Sequence, residues 1–151
     1  MGRIPEFDRS AVLSRAAQQF AEYGYEGTSM SRLVEATGLQ RGSIYAAFGS
    51  KAELFRESFT GVVDAPGLQA DLLTDLLTVA LRERAAVDGK VADGAVRAIA
   101  RLGEELARGA HRSGSPQESS ARSGTLVAHR LFARLLDRAG IADRVARTRG
   151  E

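Results

Sequence analysis

The sequence predicts an all-α protein. Apolar residues recur at helical spacing in almost every segment, and no stretch alternates convincingly as a β-strand does. Glycines and residues that cap helices divide these periodic segments at short intervals. With 44% hydrophobic and 26% charged residues, the chain of 151 residues has a globular composition. We therefore expect one or two small bundles of short helices.

The first predicted helix begins near Asp8 or Ser10, either of which can cap its free amides. Gly24 is expected to end it, because glycine adopts a positive φ without steric strain. Five residues at helical spacing form its apolar face: Val12, Leu13, Ala16, Ala17 and Phe20.

Two short helices and a longer one follow. Thr28 and Ser29 can cap a second helix over about 30–37, which ends at Gly38. A third, short helix over Leu39 to Phe48, stopped by Gly49, carries three bulky residues, Ile44, Tyr45 and Phe48. The sequence Ser50-Lys51-Ala52-Glu53 fits a capping box at the start of a fourth helix, whose apolar positions are Leu54, Phe55, Phe59 and Val62.

Pro66 and Gly67 interrupt the pattern, so we divide the chain into residues 1–65 and residues 66–151. The second part is predicted to hold a leucine-rich helix over 68–81 and another over about 91–110. A polar loop over 112–124 precedes a helix over about 126–136 and a short last one over 141–146.

Composition excludes several classes of site. There is no cysteine, which removes disulfides and cysteine metal sites and favours a cytoplasmic location. No apolar run approaches the ~20 residues of a membrane helix, and no secretory signal is recognisable. His111 and His129 are the only histidines and show no metal-binding spacing. We expect no enzyme, metal or cofactor.

Charge alone does not indicate a partner. The isoelectric point is about 9.4, yet the net charge is only +2, and residues 1–60 hold seven basic and seven acidic side chains. From Gly38 to Lys51, however, Arg41 and Lys51 occur without any acidic residue. A small basic region of this kind suits a limited contact with phosphates, or is ordinary surface.

The order helix, glycine-containing turn, short helix over about 29–48 is that of a helix-turn-helix unit. A helix is about as wide as the ~12 Å major groove of DNA, so small residues on its exposed face permit close approach. Ile44 and Phe48 can anchor such a helix from behind. Arg41, Ser43 and Tyr45 then face outward near its N-terminal end, where base and phosphate contacts concentrate.

The stretch YGYEGTSMSRLVEATGLQRGSIYAAFGSKAELF closely resembles the DNA-binding domain of TetR-type transcriptional regulators. The resemblance covers about residues 1–60. It implies DNA contacts for twelve residues, with Thr28 and Ser29 as caps that also hold phosphate, and Tyr45 and Lys51 as phosphate ligands: Thr28, Ser29, Ser31, Arg32, Gln40, Arg41, Gly42, Ser43, Tyr45, Ala46, Ala47 and Lys51. Arg3 in the N-terminal arm is a further candidate.

The resemblance also implies a homodimer that binds a palindromic double-stranded DNA operator, most often as a repressor, and a second domain that binds a small effector. Candidate dimer residues are Leu126, Leu131, Phe132, Leu135 and Leu136. Candidate effector-lining residues are Leu72, Leu76, Ile99, Leu102 and Phe132. All of these residues also fit an ordinary core.

The second part is shorter than the resemblance implies. Either a helix that walls the effector pocket is absent, or the sequence omits a segment near 63–68. The alternative function is a helical dimerisation or interaction module whose DNA-binding surface is vestigial.

Overall fold

A computed structural model of the chain describes residues 7–67 and 69–112 together with Arg147, and the side chains of 106–112 are left undescribed. This part of the chain is helical with no strand, which confirms the all-α prediction. Six α-helices follow one another: α1 (Arg9–Gly27), α2 (Met30–Thr37), α3 (Arg41–Phe48), α4 (Lys51–Asp64), α5 (Ala70–Val79) and α6 (Gly89–Arg112). A π-helical turn, Ala80–Arg84, extends α5.

Helix α1 begins as its cap predicts and contains a break. The Asp8 carboxylate accepts hydrogen bonds from the amides of Ser10 at 2.9 Å and Ala11 at 3.1 Å. Gly24 has φ 76° and ψ 171°, so the regular helix stops there, and Tyr25–Gly27 form a separate turn. Glycine suits this backbone because a side chain is strained at positive φ.

The predicted capping box of α4 is half formed. The Ser50 hydroxyl accepts from the amide of Glu53 at 3.1 Å, as expected. The Ser50 amide, however, donates to the Phe48 carbonyl at 3.0 Å. The Glu53 carboxylate instead contacts the guanidinium of Arg56, so the return arm of the box is not made.

One apolar core runs through the described helices. Phe20 of α1 meets Phe55 of α4 edge to face, with ring centroids 5.1 Å apart, and Phe59 stacks on Phe55. Buried residues of α5 and α6, such as Leu76, belong to the same core. The core therefore continues across residue 65, and the division of the chain into two functional domains stays a prediction.

The connection between α5 and α6 differs from the prediction at both ends. The leucine-rich helix continues to Arg84 through the π-helical turn, and α6 begins at Gly89 rather than near Val91. The reason is Asp88, whose carboxylate accepts from the amides of Lys90 at 3.1 Å and Val91 at 3.2 Å. Arg112, placed in the predicted loop 112–124, is helical. The rest of that loop and the helices over 126–136 and 141–146 lie outside the described residues.

Within the described residues no helix combines the length and the apolar character needed to cross a membrane. The same residues contain no group of three histidine or acidic side chains able to hold a metal ion.

Candidate nucleic-acid interface

Helices α2 and α3 form the predicted helix-turn-helix. Ser29 caps α2, its hydroxyl accepting from the amide of Arg32 at 3.2 Å. Gly38 ends α2 in the left-handed conformation, with φ 73° and ψ 5°, and its amide donates to the Val34 carbonyl at 2.9 Å. Leu39 and Gln40 complete the turn before α3 starts at Arg41. The turn geometry thus follows from a glycine that the sequence places at the required point.

Helix α3 is fixed on one side and open on the other. Ile44 is 1% exposed and Phe48 is 4% exposed, so these two side chains anchor the helix in the core as predicted. The opposite face is exposed and carries four residues, Arg41, Gly42, Tyr45 and Ala46. Ser43 and Ala47 lie at its edges and are half-buried, and Gln40 before the helix is exposed.

The exposed face of α3 carries little side-chain bulk at Gly42. A Cβ atom built on Gly42 meets nothing within 4 Å, so open space lies in front of α3. Two residues of the helix-turn-helix carry exposed guanidinium groups, Arg41 of α3 and Arg32 of α2. The arrangement can bring a helix backbone close to a polyanion while two cations contact its edges.

Arg32 lies over an aromatic ring. Its guanidinium carbon is 3.7 Å from the centroid of the Tyr23 ring, a cation–π contact near the start of α2. Ser31 beside it is exposed. The contact restrains a long side chain that would otherwise lose more conformational entropy when it meets a partner.

Thr28 does not lie where the prediction puts it. Its side chain is fully buried, and its hydroxyl donates to the carbonyl oxygens of Gly24 at 2.6 Å and Gln19 at 3.0 Å. The prediction that this side chain caps α2 is therefore wrong, because Ser29 alone holds the cap position. A buried hydroxyl that bonds backward to α1 also has no access to a phosphate, so any phosphate contact here falls to Ser29.

Lys51 is also engaged within the chain. Its ammonium nitrogen lies 4.5 Å from the centroid of the Tyr25 ring, and the side chain is half-buried. Burial lowers the pKa of Lys51, although the charges of Glu26 and Glu83 oppose that shift. The ring contact and the partial burial together leave less of the ammonium group exposed to a phosphate.

Two contacts that hold the interface in place have no signal in the sequence. Arg9 of α1 donates to the carbonyl of Ala47 in α3 at 3.1 Å and pairs with Glu57 of α4 at 2.6 Å. Glu83 of the π-helical turn accepts from the amide of Glu26 at 2.8 Å. Each contact joins residues tens of positions apart, so only the packed structure reveals it.

The predicted effector and dimer residues do not meet in one described site. Leu72 lines a cavity of about 220 Å³, whose lining includes neither Leu76, Ile99 nor Leu102. Leu76 and Ile99 are buried in the core, and Leu102 packs against it. Outside the described residues lie Arg3, His129, Leu126, Leu131, Phe132, Leu135 and Leu136, and the side chain of His111 is likewise undescribed.

Comparison with known proteins identifies the region that carries this interface. Residues 12–58 match the family model described as bacterial regulatory proteins, tetR family. An uncharacterized HTH-type transcriptional regulator, YezE of Bacillus subtilis, is 51% identical over 55 residues, which cover 36% of this chain and 28% of the relative. The HTH-type transcriptional repressor ComR of Escherichia coli is 44% identical over 63 residues, or 42% of this chain and 30% of the relative.

A third relative, the HTH-type transcriptional repressor AcnR of Corynebacterium efficiens, is 48% identical over 54 residues, 36% of this chain and 29% of the relative. The matches thus span 28–30% of the length of these curated relatives. No solved structure matches the chain significantly. All three relatives are named as transcriptional regulators or repressors.

Proposed function

We propose, from the match of residues 12–58 to the family model of bacterial regulatory proteins, tetR family, that this chain is a sequence-specific DNA-binding transcriptional regulator. The observation that carries the proposal is the form of α3. Ile44 and Phe48 hold its rear in the core, while its front offers Arg41 and Tyr45 beside two positions without bulk, Gly42 and Ala46. A helix with such a front can enter the major groove, where base edges are read.

Two copies are needed for useful specificity. One α3 helix reads only a few base pairs, and two related helices about one DNA turn apart, ~34 Å, read a palindrome. We therefore propose a homodimer on a palindromic operator, with Leu126, Leu131, Phe132, Leu135 and Leu136 as its contact residues. Repression is the proposed outcome, since ComR and AcnR are named repressors. Binding to chromosomal DNA further implies a cytoplasmic location.

Affinity should depend on shape more than on charge. A dimer contributes two copies each of Arg32 and Arg41, and each phosphate contact by a cation adds about −0.9 to the slope of log K against log salt. If all four guanidinium groups contact phosphates, the slope is about −3.6, and it is shallower if Arg41 contacts bases instead. Tyr45 adds a hydroxyl and no charge, so its contact should leave this slope unchanged.

The test is binding to a labelled duplex from the DNA upstream of the protein's own gene, followed by fluorescence anisotropy at several salt concentrations. Arg41→Ala should weaken specific binding by about 5- to 150-fold, the range for a lost base contact. Tyr45→Phe should weaken it by about 3- to 10-fold through one lost hydrogen bond. Arg82→Ala removes an exposed arginine from the π-helical turn, outside α2 and α3, and serves as the matched control.

One observation favours a second candidate, a helical interaction module with vestigial DNA binding. Lys51, half of the basic pair between Gly38 and Lys51, is half-buried against Tyr25, so less of this cation is exposed to a phosphate. This candidate predicts a folded protein that binds the upstream duplex no more tightly than a scrambled one, with Arg41→Ala equal to wild type. Specific binding that Arg41→Ala reduces and Arg82→Ala does not would eliminate it.

A further inference from the structure

Arg9 of α1 contacts both α3 and α4. Its Nη1 atom donates to the carbonyl of Ala47 in α3 at 3.1 Å, while Nη2 donates to both carboxylate oxygens of Glu57 in α4, at 2.6 and 2.8 Å. The guanidinium carbon also lies 4.4 Å from the centroid of the Phe48 ring, a cation–π contact. We call these contacts the Arg9 bridge. One side chain thus joins the C-terminal end of α3 to α1 and α4.

The Arg9 bridge adds an attachment that the short helix α3 needs. Ile44 and Phe48, which anchor this helix of eight residues, are four positions apart and lie one above the other along one line of its surface. Two anchors on one line resist movement away from the core, but they oppose rotation about that line only weakly. Ala47 lies about 100° around the helix axis from Phe48, so the bond of its carbonyl with Arg9 supplies a third point off that line.

The chemistry of this bond suits the end of a helix. The last carbonyl groups of a helix have no partner within it and carry a partial negative charge, so a guanidinium group is favourable beside them. Glu57 orients the donor, because its two oxygens hold Nη2 of Arg9 and leave Nη1 directed at Ala47. The carboxylate of α4 therefore acts on α3 through the arginine of α1.

Two roles fit an exposed arginine beside α3: it contacts a DNA phosphate, or it positions the helix. The side chain of Arg9 is 48% exposed, but its charge is matched by that of Glu57 at 2.6 Å. The pair adds no net charge to the interface, and Nη1 donates to a carbonyl of the chain itself. These contacts favour the positioning role.

We propose that Arg9 is a positioning residue of the DNA interface, which fixes the orientation of α3 through Ala47 and Phe48 and is itself held by Glu57. Its role in recognition rests on the proposed DNA-binding function, since the orientation of α3 matters for binding only if this helix reads bases. Groups that recognise a ligand must be held within about 0.5 Å of their productive position. Base readout therefore depends on the Arg9 bridge, whereas the sequence-independent attraction to phosphates does not.

Glu57→Gln separates the two roles by the sign of its effect on binding to the upstream duplex. The substitution removes a negative charge and releases Arg9 from its pair. If Arg9 contacts a phosphate, binding should tighten and the salt slope should become steeper by about 1.8 for two copies. If Arg9 positions α3, specific binding should instead weaken by about 2- to 5-fold at an unchanged slope. Asp64→Asn removes the same charge from an exposed pair at the C-terminal end of α4 and should bind as the wild type does.

The double variant Arg9→Ala/Glu57→Gln removes the Arg9 bridge without changing the net charge. The ratio of its affinities for the upstream duplex and a scrambled duplex should fall by about 5- to 30-fold, the loss of one hydrogen bond in each of two copies. Its affinity for the scrambled duplex should change by less than about 2-fold. The matched control, Arg97→Ala/Asp64→Asn, removes the exposed pair between α6 and α4 in the same charge-neutral way and should keep the wild-type ratio.

Hydrogen exchange of the protein without DNA tests the Arg9 bridge independently of the proposed function. In the double variant the amides of α3 should exchange about 3- to 10-fold faster, because the helix has lost its third attachment. The amides of α2, which Arg9 does not contact, should exchange as in the wild type. The exposed ion pair contributes little to global stability, so the melting temperature should stay within about 4 °C of the wild-type value.

The outcomes are separable from those of the DNA-binding test. Unchanged exchange of the α3 amides in the double variant would overturn the Arg9 bridge as a restraint, whatever the DNA result. Tighter binding by Glu57→Gln, or an equal fall in the affinity ratio in both double variants, would overturn the positioning role while leaving the DNA-binding function intact. A fall in that ratio for Arg9→Ala/Glu57→Gln alone supports the role. A wild-type chain that does not distinguish the two duplexes refutes the DNA-binding function and the role in recognition together.

Discussion

Asp88 joins three elements, and Asp88→Asn tests how strongly it holds them together. Its side chain is 7% exposed and caps α6 through the amides of Lys90 and Val91. The other carboxylate oxygen accepts from Arg56 of α4 at 2.9 Å and lies 3.6 Å from Arg84 of the π-helical turn. Asparagine keeps a capping oxygen but removes the charge that both guanidinium groups face.

The expected loss follows from the burial of the pair. Removing one partner of a fully buried ion pair destabilises a protein by about 3–5 kcal/mol. The side chain of Arg56 is 20% exposed and keeps its contact with Glu53, which reduces the penalty. We expect Asp88→Asn to lower the free energy of unfolding by about 2–3 kcal/mol, equivalent to a fall of about 4–12 °C in melting temperature.

The loss should depend on pH. Burial raises the pKa of Asp88, but hydrogen bonds from Arg56, Val91 and Lys90 and the charge of Arg56 outweigh it, so the pKa lies below its ordinary value of 3.8. A carboxyl whose pKa is lower in the folded state stabilises the fold above the unfolded pKa. That stability disappears as the pH falls through the folded pKa. The difference between wild type and Asp88→Asn should therefore be full at pH 7 and shrink below about pH 4.

Urea denaturation followed by circular dichroism at pH 7 and pH 3 measures both effects. The matched control is Asp64→Asn, which breaks an exposed pair with Arg97 at 3.5 Å and should change stability by less than about 0.5 kcal/mol. Equal, small losses in the two variants would refute the view that the Asp88 cluster is a strong link. A large loss that stays constant from pH 7 to pH 3 would show that the charge is not its cause.

Four further substitutions, one of them with a rescue variant, test single features in and around the interface by urea denaturation. Gly24→Ala should lower the free energy of unfolding by about 1–2 kcal/mol, since φ is 76° and the new Cβ would lie 2.9 Å from a Glu83 carboxylate oxygen. Gly42→Ala, in a helix with open space around it, should instead raise the free energy of unfolding by about 0.5–1 kcal/mol while weakening DNA binding. Equal effects of the two substitutions on stability would contradict the conformational argument. Thr28→Val should lower the free energy of unfolding by about 1–2 kcal/mol, because the carbonyls of Gly24 and Gln19 lose their hydroxyl donor. Thr28→Ser should restore that stability. An unchanged free energy of unfolding in Thr28→Val would mean that the buried hydroxyl is dispensable. Ser29→Ala should cost about 1 kcal/mol through the lost cap of α2, and a larger loss in DNA affinity than in stability would add a phosphate contact to its role.

Local signals in the sequence predicted the helices of the interface well. Gly38 and Gly49 end α2 and α3 at positive φ, and Ser29 and Ser50 cap the helices that follow them. Ile44 and Phe48 lie inward, as the helical period requires. Each of these features depends on residues within one or two helical turns of each other, so the sequence is enough to predict it.

The sequence does not decide the placement of a residue whose type fits two environments. Thr28 and Ser29 are equal as cap candidates, and only the packing of α1 decides that Thr28 turns inward to Gln19 and Gly24. Lys51 reads as a surface cation, yet the Tyr25 ring lies within reach once α4 packs on α1. No local pattern ranks these alternatives, because the deciding neighbours lie far along the chain.

By itself the sequence determined the all-α class, the helix-turn-helix, the anchors of α3 and the resemblance to a TetR-type DNA-binding domain, since these depend on periodicity, capping and spaced motifs. Tertiary structure alone decided which side chains face outward at the edges of the interface. It alone showed the bridge from Arg9 to Ala47 and Glu57, the Asp88 cluster and the unpartnered hydroxyl of Ser58. The physical reason is that these features are contacts between helices, and their energies exist only after distant segments have packed together.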